Sequence, residues 1–319
     1  MDLQDITQPI EQELKHFNDH FRSALRSKIA FVDLIARYIV KRKGKKIRPA
    51  LVFLTAKACG EVNETTYRGA SLVEILHTAT LIHDDIIDGA ETRRGKASAY
   101  KKFGLKNTLV AGDFLFIKAF EFAGKFDDTV VQWTADACAL LTEGETLQGF
   151  FNRNRSVTLD DYVEIVKRKT ASLFQTGAKV GAYLAGAQPA IVEETDRYGL
   201  NMGIAFQMID DILDIVGHIE LLGKPTGMDI RDGNPSLPII LALNEGQSAV
   251  GEAFQCGKPT EAQVAAALEA IKTGSAIQRS KTISNRYAEE ALKSIKKLPP
   301  SIYRNGLKTL VQLIIDRNF

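Results

Sequence analysis

Two short stretches of the sequence concentrate the groups that could do chemistry. The first is Leu81-Ile82-His83-Asp84-Asp85-Ile86-Ile87-Asp88-Gly89, and the second is Phe206-Gln207-Met208-Ile209-Asp210-Asp211-Ile212-Leu213-Asp214. Each closes an apolar run of helical pattern. In each, the first and last aspartates lie four residues apart and so share one helical face. Carboxylates are disfavoured at a helix C-terminus by the dipole, and buried charge is costly unless it is paired or metal-bound. A solvated helix end accounts for one such cluster but not for two of identical spacing. Two facing carboxylate clusters repel strongly unless cations lie between them. All-oxygen ligands suit hard cations, and Mg²⁺ is commonly held by a few carboxylates together with substrate phosphates. The pair therefore predicts a metal-bridged, phosphorylated substrate.

Phosphate chemistry also needs cations, and several segments supply them. Lys41-Arg42-Lys43-Gly44-Lys45-Lys46-Ile47-Arg48-Pro49 gathers six basic residues around a glycine, just before a helix that Pro49 can open. Taken alone, such a run is an ordinary solvated turn; leading into a helix N-terminus, it is an anion site. His77 lies two turns before Asp84 on nearly the same face. A lone histidine is usually a satisfied core residue, but this one sits on the stripe that leads to the aspartates. The Arg93-Arg94 pair follows the first cluster in a glycine-marked loop and suits bidentate contact to diphosphate oxygens. Lys169 and Thr170 interrupt an apolar helix, and Lys224 stands in a flexible loop after the second cluster.

The elements that position these groups read at helical period, with no convincing alternating strand. Helices are expected over 8–27, 29–42, Ala50 to Cys59, the long run ending in the first cluster, 107–126, 129–153, 159–185 and Leu200 to Ile209, with shorter pieces from Leu237 onward. Thr158 is the expected N-cap of the helix over 159–185. The small residues Ala171, Gly177, Ala178, Gly181 and Ala182 allow close helix–helix approach. No Pro-, Gly- or Ser-rich linker interrupts the 319 residues, so a single domain over 1–319 is expected. Hydrophobic residues at 45% and charged residues at 25% are ordinary for a globular chain, and a net charge of +2 excludes a strong nucleic-acid footprint. No apolar run reaches transmembrane length, and Met1-Asp2-Leu3-Gln4-Asp5 is too acidic for a secretory signal. Cys59, Cys138 and Cys256 are widely spaced and odd in number, which fits a reduced cytoplasm.

With both aspartate clusters, Gly-Lys-Lys-Ile-Arg-Pro upstream and Arg-Arg-Gly after the first cluster, the chain closely resembles the all-trans polyprenyl diphosphate synthases. The resemblance runs roughly from the Lys45 loop to the helix after Pro238. It implies the all-α isoprenoid synthase fold, a helical bundle around a deep central cavity, and a homodimer. It also implies head-to-tail condensation of isopentenyl diphosphate onto an allylic diphosphate such as farnesyl or geranylgeranyl diphosphate. By this resemblance, Lys45, Arg48, His77 and Arg94 form the isopentenyl diphosphate site. Arg93, Lys169, Thr170, Gln207 and Lys224 contact the allylic substrate. Asp84, Asp88 and Asp210 ligate Mg²⁺, three ions in all, with Asp85, Asp211 and Asp214 in support. The family's second lysine after Lys224 is replaced here: Gly233-Asn234-Pro235-Ser236-Leu237-Pro238 stands where Gly-Lys-x-Thr-Leu-Pro is usual.

Three other readings compete. A terpene cyclase would have no use for Lys45, Arg48 and Arg94 as a second diphosphate site. A non-catalytic subunit of a heteromeric synthase should lack intact acidic clusters, and a phosphorylated-lipid binding protein needs no pair of metal clusters. Product length depends on Ala79 and Thr80, the positions that form the tunnel floor in short-chain farnesyl or geranylgeranyl diphosphate synthases when they are bulky. Both are small here, which moves the floor deeper, with Phe114, Phe116 and Phe120 as its candidates. The expected product is C30 to C50, of the kind used for quinone side chains and delivered to a membrane.

Overall fold

The helical periodicity is realised throughout the computed structural model, which describes residues 6–40, 44–93, 95–154, 156–217 and 226–316. The described chain divides into two compact units, each discontinuous in sequence. The first comprises Met1–Cys138, Gln175–Asp196 and Ile295–Thr309; the second comprises Ala139–Phe174, Arg197–Ser294 and Leu310–Phe319. No helix of the described residues is long and apolar enough to cross a membrane.

In the first unit, a 3₁₀ turn at Gln8–Ile10 containing Pro9 precedes α1 (Glu11–Ala24), so the helix expected over 8–27 is shorter at both ends. After α2 (Ala30–Val40), α3 (Ile47–Cys59) begins with Pro49 in its first turn, where a missing N–H costs nothing. The long helix α4 (Glu64–Ile87) is opened by a capping box: Asn63 Oδ1 accepts the Thr66 N–H at 3.0 Å, and Thr66 Oγ1 accepts the Asn63 N–H at 3.2 Å. Asp88 is its C-cap, so the first aspartate cluster forms the last turn of α4. Phe17 and Phe53 lie in the core with ring centroids 6.0 Å apart, and the half-buried Tyr67 packs on Phe53 at 5.2 Å. A two-residue antiparallel ladder, Thr92–Arg93 with Lys96–Ala97, occupies the loop after Asp88.

Helix α5 (Leu105–Ala123) packs on α4 through Thr108, Ala111, Gly112, Leu115, Ala119 and Phe122, the buried stripe of its helical period. At Gly112 the helices approach closely enough that a Cβ would stand 2.2 Å from His83 Nε2, and the imidazole would have to move to admit one. The next helix is α6 (Asp128–Asn154).

The helix expected over 159–185 is interrupted. α7 (Leu159–Val166) starts from a capping box between Thr158 and Asp161, a π-helical turn spans Lys167–Ala171, and α8 (Ser172–Leu184) continues. The expected close approach occurs at Gly181, where a Cβ would meet Val52 O at 2.4 Å. At Gly177 the same test gives ordinary contact, 3.5 Å to Val52. Helix α9 (Pro189–Val216) carries the second aspartate cluster in its last turns, and α10 (Leu237–Asn244) follows. Further helices are α11 (Ser248–Gln255), α12 (Glu261–Thr273), α13 (Ala276–Ile295) and α14 (Ile302–Ile315), and shorter helical segments span Ala99–Phe103 and Met228–Asp232. The core of the second unit gathers Tyr162, Met208, Ile215, Leu237, Phe254 and Ile271.

Candidate active site

In the first unit the two carboxylates at the start of the cluster are treated differently. Asp84 is half-buried and Asp88 exposed, one turn apart on the same face. Asp85 is buried, and Arg93 Nε donates to its Oδ1 at 2.5 Å. The short ladder after the cluster thus folds Arg93 back onto the helix that precedes it. Arg48 Nη1 donates to His77 Nε2 at 3.0 Å. Because a guanidinium has no acceptor, His77 accepts there and keeps its proton on Nδ1. Lys45 is exposed.

One cleft of this unit is lined by His77, Asp85 and Arg93, together with Lys46, Glu74 and Thr78. Lys46, which the sequence reading did not single out from its basic run, sits at φ 50°, a left-handed conformation costly for a residue with a side chain. Its ammonium lies 5.2 Å from the Phe17 ring centroid, and burial pushes its pKa down.

In the second unit Asp210 is half-buried, whereas Asp211 and Asp214 are buried. Asp211 accepts from Tyr162 Oη at 2.7 Å, Gln207 Nε2 at 2.9 Å and the Leu237 N–H at 3.2 Å. Burial nevertheless pushes its carboxyl up to about 6. Asp214 holds the chain after the 218–225 segment, accepting the Asp229 N–H through Oδ2 at 3.1 Å and the Gly227 N–H through its carbonyl at 2.7 Å. The Thr170 hydroxyl donates to Gln207 Oε1 at 2.8 Å, so Thr170 reaches the aspartate cluster through Gln207. Lys169 Nζ pairs with Glu145 Oε2 at 2.5 Å. Asn234 Oδ1 accepts from Gln148 at 3.1 Å and Asn152 at 2.7 Å, so a cluster of neutral amides stands where the resembled family has a lysine.

Tyr162, Glu145, Gln148 and Asn152 were missed by sequence reasoning. Their partners lie 24 to 86 residues away in sequence, and no local spacing signals such contacts. Arg94 and Lys224 lie outside the described residues. Of the positions assigned to the tunnel floor, Ala79 is fully buried and Thr80 is half-buried, its hydroxyl donating to the His77 carbonyl at 2.9 Å. Phe114 and Phe116 are half-buried. Phe120 is 53% exposed in the single chain, because it falls on the side of α5 opposite the stripe that packs on α4.

The donor chemistry fits a hard divalent cation. Asp84, Asp88 and Asp210 offer carboxylate oxygens that retain access to solvent, and their neighbours Asp85 and Asp211 are engaged by protein donors. Among the described residues no three His, Cys, Asp or Glu side chains converge into a complete cage. A Mg²⁺ held by carboxylates of either cluster would complete its shell with water and substrate phosphate, as that ion commonly does.

Comparison with known proteins gives the same direction. The chain is 32% identical to the all-trans-nonaprenyl-diphosphate synthase (geranyl-diphosphate specific) of Rhodobacter capsulatus over 319 residues, 98% of each chain. It is 31% identical to the octaprenyl diphosphate synthase of Escherichia coli (strain K12) over the whole of both chains. The crystal structure of a polyprenyl synthase from Caulobacter crescentus CB15, complexed with calcium and isoprenyl diphosphate, superposes with a TM-score of 0.94 at 31% identity, covering 99% of this chain and 98% of that one. The fold is therefore the all-α isoprenoid synthase fold of these neighbours. The family model described as Polyprenyl synthetase matches residues 30–271, and the chain belongs to that family of prenyltransferases.

Proposed function

We propose that this prenyltransferase is a medium- to long-chain all-trans polyprenyl diphosphate synthase. It condenses isopentenyl diphosphate head-to-tail onto an allylic diphosphate, farnesyl or geranylgeranyl diphosphate. The observation that carries this reading is the pair of aspartate clusters, each with a buried carboxylate fixed by protein donors next to a less buried aspartate. Asp84, Asp88 and Asp210 hold Mg²⁺, three ions in all. When bound, Mg²⁺ neutralises charge developing on the departing diphosphate.

The chain's own residues do the rest. Lys45, Arg48, His77 and Arg94 bind isopentenyl diphosphate and hold its double bond close to the reacting carbon. Arg93, Lys169 and Lys224 face the allylic diphosphate, and Thr170 and Gln207 brace that side of the site. The allylic carbon–oxygen bond breaks, the isopentenyl double bond forms the new carbon–carbon bond, and a proton is lost. None of the motif side chains is an evident general base, which supports the departing diphosphate as proton acceptor.

The relatives named octaprenyl and nonaprenyl synthases, with the small Ala79 and Thr80, support a product of C30 to C50. Such a product would pass to a membrane from an enzyme working in the cytoplasm. The apolar face of α5 supports a homodimer: Leu109, Val110, Ile117 and Phe120 are 45%, 54%, 64% and 53% exposed.

The test is incubation with isopentenyl diphosphate, farnesyl diphosphate and Mg²⁺, followed by chromatography of the dephosphorylated products. Alcohols of C30 to C50 are expected. Products stopping at C15 or C20 with excess isopentenyl diphosphate would overturn the chain-length assignment. A cyclic hydrocarbon made from the allylic substrate alone would overturn the reaction itself.

A further inference from the structure

Tyr162 belongs to none of the acidic or basic motifs, yet its hydroxyl donates to Asp211 at 2.7 Å from a side chain that is 3% exposed. The ring packs in the apolar core of its unit, where phenylalanine would fill the same space. The hydroxyl is the part that needs a reason. Burying a phenol and a carboxylate is unfavourable unless each is hydrogen-bonded, and an apolar pair would serve a core at least as well.

The bond is one link in a longer line. Thr170 donates to Gln207, Gln207 donates to Asp211, and the Leu237 N–H at the start of α10 donates to the same carboxylate oxygen as Tyr162. Asp211 is thus gripped from α7, α9 and α10 together. It is the residue next to Asp210, so gripping it fixes the turn of α9 from which the Asp210 carboxylate projects. The π turn that bears Lys169 and Thr170 begins five residues after Tyr162, on the same continuous run of helix.

We propose that Tyr162 is a positioning residue: through its hydrogen bond to Asp211 it sets the orientation of the second aspartate cluster toward Mg²⁺ and the allylic diphosphate. This rests on the reading of Asp210 as a metal ligand. Partners one shell removed from a metal ligand change metal affinity or activity by about 10- to 100-fold when removed, and an effect of that size is expected for Tyr162→Phe.

The experiment compares Tyr162→Phe with the wild-type protein by circular dichroism, by calorimetric binding of a non-ionising allylic thiolodiphosphate across a Mg²⁺ series, and by steady-state kinetics. The variant should be folded. Its binding of the analogue should need more Mg²⁺ and its kcat should fall, while the KM for isopentenyl diphosphate stays unchanged. Combined with Asp211→Ala it should add no further loss, because Asp211→Ala already removes the acceptor of the Tyr162 hydroxyl. A folded Tyr162→Phe protein with wild-type binding and kcat would overturn the proposal. So would additive losses in the double variant, or a Tyr162→Phe protein that does not fold, since the hydroxyl would then serve stability alone. Asp210→Ala, measured alongside, separates the two levels. Wild-type turnover in Asp210→Ala removes the metal-ligand reading, whereas an inactive Asp210→Ala beside a normal Tyr162→Phe removes only the role of Tyr162.

Discussion

At the scale of single residues, the aspartates of the two clusters differ in burial and in the protein donors that hold them. Arg93 holds Asp85, and Tyr162, Gln207 and a backbone N–H hold Asp211, while Asp84, Asp88 and Asp210 keep solvent access. Removing a ligand from a fixed charge cluster lowers transition-state stabilisation, and each 1.4 kcal/mol is about tenfold in rate. Asp84→Ala and Asp210→Ala should therefore each cut kcat by about 10²- to 10³-fold or more with an unchanged circular dichroism spectrum. Wild-type turnover in either at saturating Mg²⁺ would falsify the assignment of that residue. The aspartates themselves were legible in the sequence because their spacing is local and repeated. The difference between Asp210 and Asp211 was not, because it is made by Tyr162 and Leu237, which lie 49 and 26 residues away.

At the scale of elements, the π turn at Lys167–Ala171 is held from two sides by glycines. A Cβ on Gly144 of α6 would lie 2.6 Å from Lys169 N, and one on Gly203 of α9 would lie 2.6 Å from Ala171 Cα. Both obstacles are backbone atoms, which cannot step aside as a flexible side chain can. Gly203→Ala should thus cost about 1–3 kcal/mol of stability, the range for overpacking, and should weaken the allylic substrate more than isopentenyl diphosphate because Lys169 and Thr170 move. Thermal unfolding and the two KM values check this; a stable variant with both KM values unchanged would show that the π turn does not depend on the contact. The capping box at Thr158 starts α7 where the sequence places an N-cap, since that signal spans three residues. The π turn registered only as a break in apolar pattern at Lys169 and Thr170. Its cause is an i→i+5 bond from the Ser172 N–H to the Lys167 carbonyl and the two glycines on other helices, none of which local periodicity encodes. On α4, Ala79 is fully buried one step deeper than the aspartate cluster, so a phenyl ring there must displace either packed neighbours or the growing chain. Ala79→Phe should shorten the longest product seen by chromatography. A folded, active variant with the wild-type product distribution would place the floor elsewhere.

At the scale of the whole molecule, the fold class and the family were legible because helical periodicity and the two aspartate clusters extend along most of the chain. A homodimer is expected only through the resemblance, since an exposed apolar helix face and a buried one have the same pattern in sequence. The structure separates the two faces of α5. Thr108, Ala111, Leu115 and Ala119 are buried, whereas Leu109, Val110, Ile117 and Phe120 are open to solvent in the single chain. Large apolar side chains gathered on an exposed helix face mark an interaction surface. A stable homodimer buries roughly 1,600 Å² in total, and an apolar helix paired with its symmetry mate supplies the centre of such an interface. The wild-type protein should accordingly sediment at twice its chain mass of 35.1 kDa. Replacing Ile117 and Phe120 together by aspartate places like charges across the two-fold axis, where repulsion and desolvation both oppose association, and should give a folded monomer. Two results in the centrifuge would sink this account: a wild-type protein that is monomeric at micromolar concentration, or a double variant that remains dimeric. In the second case the dimer must be held by another surface, and the exposed side of α5 would be free to meet a membrane or a different partner.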